Sequence, residues 1–140
     1  MPTATQLLAD QLDEAYRGVR ERVDGLTDEE FFWQPVPDCG PVRPRPLTWP
    51  EIDSAHTAAD AIAMLERGQQ LLASALAGLA DSDLDAPRMT NWGEEWPTWR
   101  VLWTLIDHDL HHGGEIGVLR DLYRERNIIT ASVPASGARA

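Results

Sequence analysis

The chain has 140 residues, a hydrophobic fraction of 43% and a formal net charge of −11, and all of its 12 basic residues are Arg. That length bounds it to one domain with room for a real core. So acidic a chain lacks the clustered cations that a phosphate backbone or an anionic membrane surface requires, so neither nucleic acid nor a membrane is expected as partner. No apolar run approaches the ~18 residues of a membrane span. The N-terminal stretch has no basic region followed by an apolar core, which argues against a secretory signal. The single cysteine, Cys39, cannot form an internal disulfide, and the expected location is cytoplasmic.

Residues 3–24 read as a first helix. Leu7, Leu8, Leu12, Ala15, Val19 and Val23 recur at three- and four-residue steps, as one apolar stripe of a helix does. Thr3 or Thr5 suits the cap and Gly25 the stop; Asp10, Asp13, Glu14, Arg17, Glu21 and Arg22 read as a solvated face. Residues 31–56 hold six prolines, Pro35, Pro37, Pro41, Pro44, Pro46 and Pro50. Arg43-Pro44-Arg45-Pro46 should be extended, Trp49-Pro50-Glu51 a short turn, and Phe31, Phe32 and Trp33 an aromatic pin holding this loop to the helices. Residues 54–79 read as the second long helix, capped by Ser54 or Thr57, with Ala58, Ala61, Ile62, Leu65, Gln69, Leu72, Leu76 and Leu79 in its stripe.

An Asp-rich loop follows, with a turn signal at Asn91-Trp92-Gly93. The last helix should start near Trp96, with Pro97 in its first turn and Glu94 and Glu95 at the positive end of its dipole, and run to about Asn127. No strand is expected. The reading is an all-α bundle of three long helices with a proline-rich loop, one domain over residues 1–129, and a disordered tail over 130–140.

Three of the four histidines fall in His108-Asp109-Leu110-His111-His112-Gly113-Gly114-Glu115. At ~100° per residue, His108, His112 and Glu115 lie within about 60° of arc on the last helix. His at i and i+4 brings two imidazoles within reach of one metal ion. Val101, Leu105, Ile116, Leu119 and Tyr123 share the stripe, which should therefore face a core, where imidazoles need polar or metal partners. His111 sits to the side and reads as a rim residue. The plainer alternative is a set of packed or solvated imidazoles with no metal.

The pattern H-x-x-H-H-x-G-E-I late in a long final helix resembles the signature of the DinB/YfiT-like superfamily. Gly25 to Glu30, with Trp33 and Pro35, resembles that family's connection after helix one, and Leu79 to Leu84 its loop before the last helix, so the resemblance covers about residues 5–126. It implies an up-down four-helix bundle in which His108 and His112 bind a divalent metal, with a third His from the second helix; a two-His site with carboxylate or water suits zinc, nickel, manganese or iron, zinc or nickel above all. It also implies metal-dependent transfer or isomerisation of a small-molecule substrate with a low-molecular-weight thiol of the mycothiol or bacillithiol type.

The sequence departs from that pattern in one place. It passes from the proline-rich loop straight to a helix matching the family's third, so the second helix and its ligand are missing. His56, the one histidine outside the motif, is a candidate third ligand and equally an ordinary surface residue; Asp53, Glu51, Glu115 or water are others. The last helix also carries a second apolar face, Trp99, Leu102, Trp103, Ile106 and Leu110, continued by Gly113 and Gly117. A helix apolar on both sides must be covered on both. A homodimer in which a second copy covers this face is expected, with C2 symmetry the simplest closure; the alternative is that loop 31–56 folds over it.

Glu115 is the best candidate for a general base or for orienting a metal-bound His. Arg100 and Arg120 are candidates to bind a substrate carboxylate, or are surface ion-pair residues. Trp92, Trp96 and Trp99 are candidates for a pocket mouth, and Cys39 reads as an incidental thiol. A non-catalytic alternative is a degenerate family member serving as a dimerisation or interaction module.

Overall fold

The computed structural model describes residues 1–35 and 56–132, with side chains to Arg126. The expectations for Cys39, the Arg43–Pro46 stretch, the turn at Trp49, the missing second helix, and Glu51, Asp53 and Ser54 lie outside the described residues, as does most of the tail. Among the described residues, four helices, α1 (Ala4–Arg22), α2 (Asp28–Phe31), α3 (Ala58–Ala77) and α4 (Thr98–Ser132), make up nearly all of the regular structure. The fold is all-α in class, with one small antiparallel hairpin, β1 (Pro87–Met89) and β2 (Glu95–Pro97). No helix among the described residues is long and apolar enough to cross a membrane.

Local signals set the helix ends. The Thr3 side chain accepts from Gln6 N, and the Gln6 side chain accepts in return from Thr3 N at 2.8 Å, a reciprocal box that satisfies two otherwise unpaired donors. Gly25 has φ +65°, where a side chain would be strained, and it turns the chain out of α1. Thr57 caps α3 through Asp60 N at 3.0 Å, and Asp28 of α2 adds a second acceptor, for Ala58 N at 2.8 Å.

Contacts distant in sequence close the remaining ends. Asp81, in a 3₁₀ turn over Asp81–Asp83, accepts from Thr5 N and Ala4 N at 2.9 and 3.1 Å and from the Thr5 hydroxyl at 2.9 Å. These donors hold its carboxyl below its ordinary pKa. They also place a negative charge where the helix dipole favours one.

The hairpin corrects the expectation of no strand. Pro87 pairs with Pro97 and Met89 with Glu95, and the turn between them passes through Gly93 at φ +88°. Three-residue strands are too short for an alternating pattern to show. The hairpin also moves the start of α4 to Thr98. Buried Thr98 donates its N–H to the Ala86 carbonyl and Trp99 donates to that of Leu84, both at 2.9 Å. The first turn of α4 thus ends on carbonyls, and Glu94 and Glu95 lie in the turn and β2, where Glu94 accepts from the Trp96 indole at 2.9 Å.

The core sits where α1 lies against α4. Leu12, Ala15, Leu102 and Ile106 are its buried centre, and Leu72, Leu76 and Leu79 of α3 pack against it with Leu8 and Leu84. Here the expected assignment of faces on α4 is reversed. The side carrying Leu102, Ile106 and Gly113 is buried, and His108, His111 and His112 are exposed. The physical reason is Gly113: a Cβ there would meet Val19 Cγ2 at 3.3 Å, so the absent side chain is what lets α1 approach. Trp99, Trp103 and Leu110, at the edge of that face, remain 46%, 57% and 62% exposed.

A buried ion pair locks the C-terminal end of α1 to α4. Arg120 Nε donates to Glu30 Oε1 at 2.6 Å and its Nη2 to Oε2 at 3.1 Å. Its Nη1 donates to the carbonyls of Arg22 and Asp24. Both side chains are about nine-tenths buried. Arg120 is therefore neither a surface residue nor free to hold a substrate carboxylate. Arg100, by contrast, is exposed and lies over the Trp96 ring at 3.9 Å.

Candidate metal centre on the last helix

The three histidines of the motif fall in the middle of α4, and all are exposed. Thr104, four residues before His108, supplies the first constraint: His108 Nδ1 lies 3.0 Å from its carbonyl oxygen. A carbonyl only accepts, so Nδ1 carries the proton and the lone pair of the neutral ring is on Nε2. His112 is held in the same sense. Its Nδ1 lies 2.8 Å from Glu115 Oε2, and that hydrogen bond holds the Glu115 carboxyl below its ordinary pKa, against a smaller opposing effect of burial. A carboxylate accepts only, so His112 also presents Nε2 as its free donor atom. A hydrogen bond from the far ring nitrogen to a carbonyl or carboxylate is how metal-binding imidazoles are commonly oriented. The two rings stand 5.7 Å apart between centroids.

Glu115 joins a third imidazole. Its Oε1 lies 3.1 Å from His111 Nε2. His111, His112 and Glu115 offer ligand atoms within 4.8 Å of one another, the one such group among the described residues. Neither His108 nor His56 belongs to it. His56 stands exposed just ahead of α3, its backbone N–H on Asp60 Oδ2 at 3.3 Å. His111 and Glu115 are four residues apart, a spacing that brings their side chains together, so His111 belongs to the cluster rather than to its rim. Asp109, half-buried between the histidines, has its carboxyl pushed up by burial, with the charges of His108 and His112 opposing.

The residues fit a divalent transition ion. Imidazole nitrogens and one carboxylate suit zinc or nickel better than the all-oxygen sets of calcium or magnesium. All donors come from one helix and are exposed, which leaves coordination positions open to solvent or substrate.

A cleft of about 350 Å³ opens beside this stretch. Ile116 and Leu119 of α4 line it, one turn beyond His112 and Glu115, opposite Val19 and Val23 of α1 and Ile62 and Leu65 of α3. Its aromatic residues are Phe31 and Trp33, the latter packed edge-on against Tyr123 at 5.6 Å. Trp92 and Trp96 pack on each other in the hairpin region at 4.8 Å and are not part of the cleft lining.

The fold is a mostly helical one with histidines one turn apart on its last helix. A family model described as the DinB superfamily matches residues 39–116. That is more than half of the chain, which belongs to this superfamily, one whose members are commonly metal-dependent. The match ends one residue beyond Glu115; the connection after α1 lies outside it. Comparison with curated proteins and with solved structures found no match.

Proposed function

We propose that the chain binds one divalent transition metal, zinc or nickel, through Nε2 of His108 and His112, and uses it on a small-molecule substrate together with a low-molecular-weight thiol of the mycothiol or bacillithiol type in the cytoplasm. The observation that carries this reading is the paired orientation of the two imidazoles, each with Nδ1 committed to an acceptor. A bound ion would supply Lewis-acid polarisation and lower the proton affinity of a thiol or water. Glu115 fixes the tautomer of His112, and its ionised carboxylate stands ready as a proton acceptor at the same helix level. His56 remains a candidate third donor, alongside water.

Elemental analysis of untagged protein purified without chelator tests this. About one equivalent of metal per chain, lost in His108→Ala and in His112→Ala and retained in His111→Ala, supports the pair. Loss in His111→Ala with retention in His108→Ala would transfer the site to the His111, His112 and Glu115 group. No metal after incubation with zinc or nickel removes the reading.

The outer edge of α4 favours a second reading, a homodimer whose role is interaction without turnover. Trp99, Trp103 and Leu110 form an exposed apolar strip along α4, and contiguous apolar surface of this kind marks interaction sites. Sedimentation at micromolar concentration tests it: a monomer mass unchanged by Trp103→Ser removes the dimer.

A further inference from the structure

We infer that the cleft between α1, α3 and α4 binds a neutral, predominantly apolar small molecule, held with its polar end towards His112 and Glu115. The direction of that polar end rests on the metal reading above; the occupancy of the cleft does not.

Size and lining make the first part of the argument. About 350 Å³ lies within the range of pockets that enclose small ligands. The walls are Val19 and Val23, Ile62 and Leu65, Ile116 and Leu119, with Phe31 and Trp33 beside them. Filling such a space with an apolar body removes hydrocarbon surface from water on both sides.

Charge makes the second part. Among the described residues, the charged ones in the lining are Glu30 and Arg120, and each is committed to the other. Both oxygens of Glu30 accept from Arg120, and Arg120 Nη1 serves the Arg22 and Asp24 carbonyls. That uses four of the roughly five guanidinium N–H donors. A carboxylate ligand would have to displace Glu30, leaving a buried charge without its partner, which is strongly unfavourable. A ligand cation would meet a carboxylate already neutralised. The cleft therefore selects against charge of either sign.

Position makes the third part. Ile116 follows His112, and Leu119 follows Glu115, by four residues, so their Cβ atoms stand ~5–6 Å apart on the helix surface. A molecule seated on Ile116 and Leu119 reaches the imidazole and carboxylate within one helical turn.

The test uses the full chain, metal-free and zinc-loaded, titrated with Nile red as a neutral apolar probe. Saturable uptake at one site per chain is expected in both forms. Octanamide should displace the dye at least tenfold more effectively than octanoate at neutral pH. Ala61→Phe, which projects a ring into the cleft, and the independent Ile62→Phe should each weaken uptake tenfold or more with the far-ultraviolet circular dichroism unchanged. Trp103→Ser, on the outer edge of α4, should leave it as it was. No uptake, uptake indifferent to both filling variants, or octanoate competing as well as octanamide overturns the inference. Uptake together with a failure to take up zinc or nickel at all would sink the metal reading and leave this one standing; metal binding without uptake would do the reverse.

Discussion

Gly113 and Gly114 are neighbours on α4 and meet opposite surroundings. A Cβ on Gly113 would press on Val19 Cγ2 at 3.3 Å, whereas one on Gly114 would meet nothing within 4 Å. The same division runs along the helix. Towards α1 lie Leu102, Ile106 and the Arg120–Glu30 pair, all buried. Away from it stand His111, His112 and Glu115, each more than half exposed. The packed side fixes where α4 lies, and the open side keeps its donor atoms available. One helix can do both because its ~100° step puts consecutive residues on different faces.

The sharpest way to break this division is at the ion pair. Arg120→Ala strands Glu30 in a buried position, and a loss of roughly 3–5 kcal/mol is expected in urea denaturation. Replacing both partners with apolar residues of similar volume should recover much of it. Gly113→Leu comes next, at about 1–3 kcal/mol of destabilisation, because α1 cannot make room without moving. Its neighbour should respond with the opposite sign: Gly114→Ala relieves a helical glycine in open space and should stabilise by ~0.5–1 kcal/mol. If both glycine variants destabilise alike, the contrast between the faces is wrong.

On the open side, His111→Ala and His112→Ala should change the stability of metal-free protein by no more than ~0.5 kcal/mol, as exposed substitutions do. The smallest effect expected is that of Asp81, which is exposed yet belongs to the framework. Its carboxyl has a lower pKa folded than its ordinary 3.8. The stabilisation it supplies is therefore present above the unfolded value and is lost as pH falls through the lower, folded one. Asp81→Asn should flatten that acid limb of a stability–pH curve. An unchanged limb would mean that the tether to Thr5 contributes nothing.

What the sequence made legible follows the range of each interaction. Thr3, Thr57, Gly25 and the Asn91–Gly93 turn act within a few residues, and each is found in the role its chemistry suggested. The motif was visible because a four-residue spacing on a helix is itself a geometry. The orientation of α4 was not visible, since apolar residues lie on both sides of it and periodicity cannot choose between them. The deciding residue was Gly113, whose contribution is the absence of a side chain. Arg120 reads differently from its sequence for a related reason: Glu30 lies 90 positions away, and an Arg on a helix reads as exposed until its partner arrives. The reach of Asp81 back to Thr5, over 76 positions, left no local trace beyond an acidic loop.

The closure of α1 from outside itself bears on how the chain acquires its structure. Asp81 ties its beginning, and Arg120 donates to the Arg22 and Asp24 carbonyls at its end. A nascent chain that has emerged only as far as Ala77 holds neither of these residues. Its first helix, 19 residues long, then lacks both tethers, and most helical stability in proteins comes from tertiary packing. A chain that stops between Asp81 and Arg120 keeps the tether at the start of α1 and lacks the donor at its end, so its opening segment is anchored at one end only.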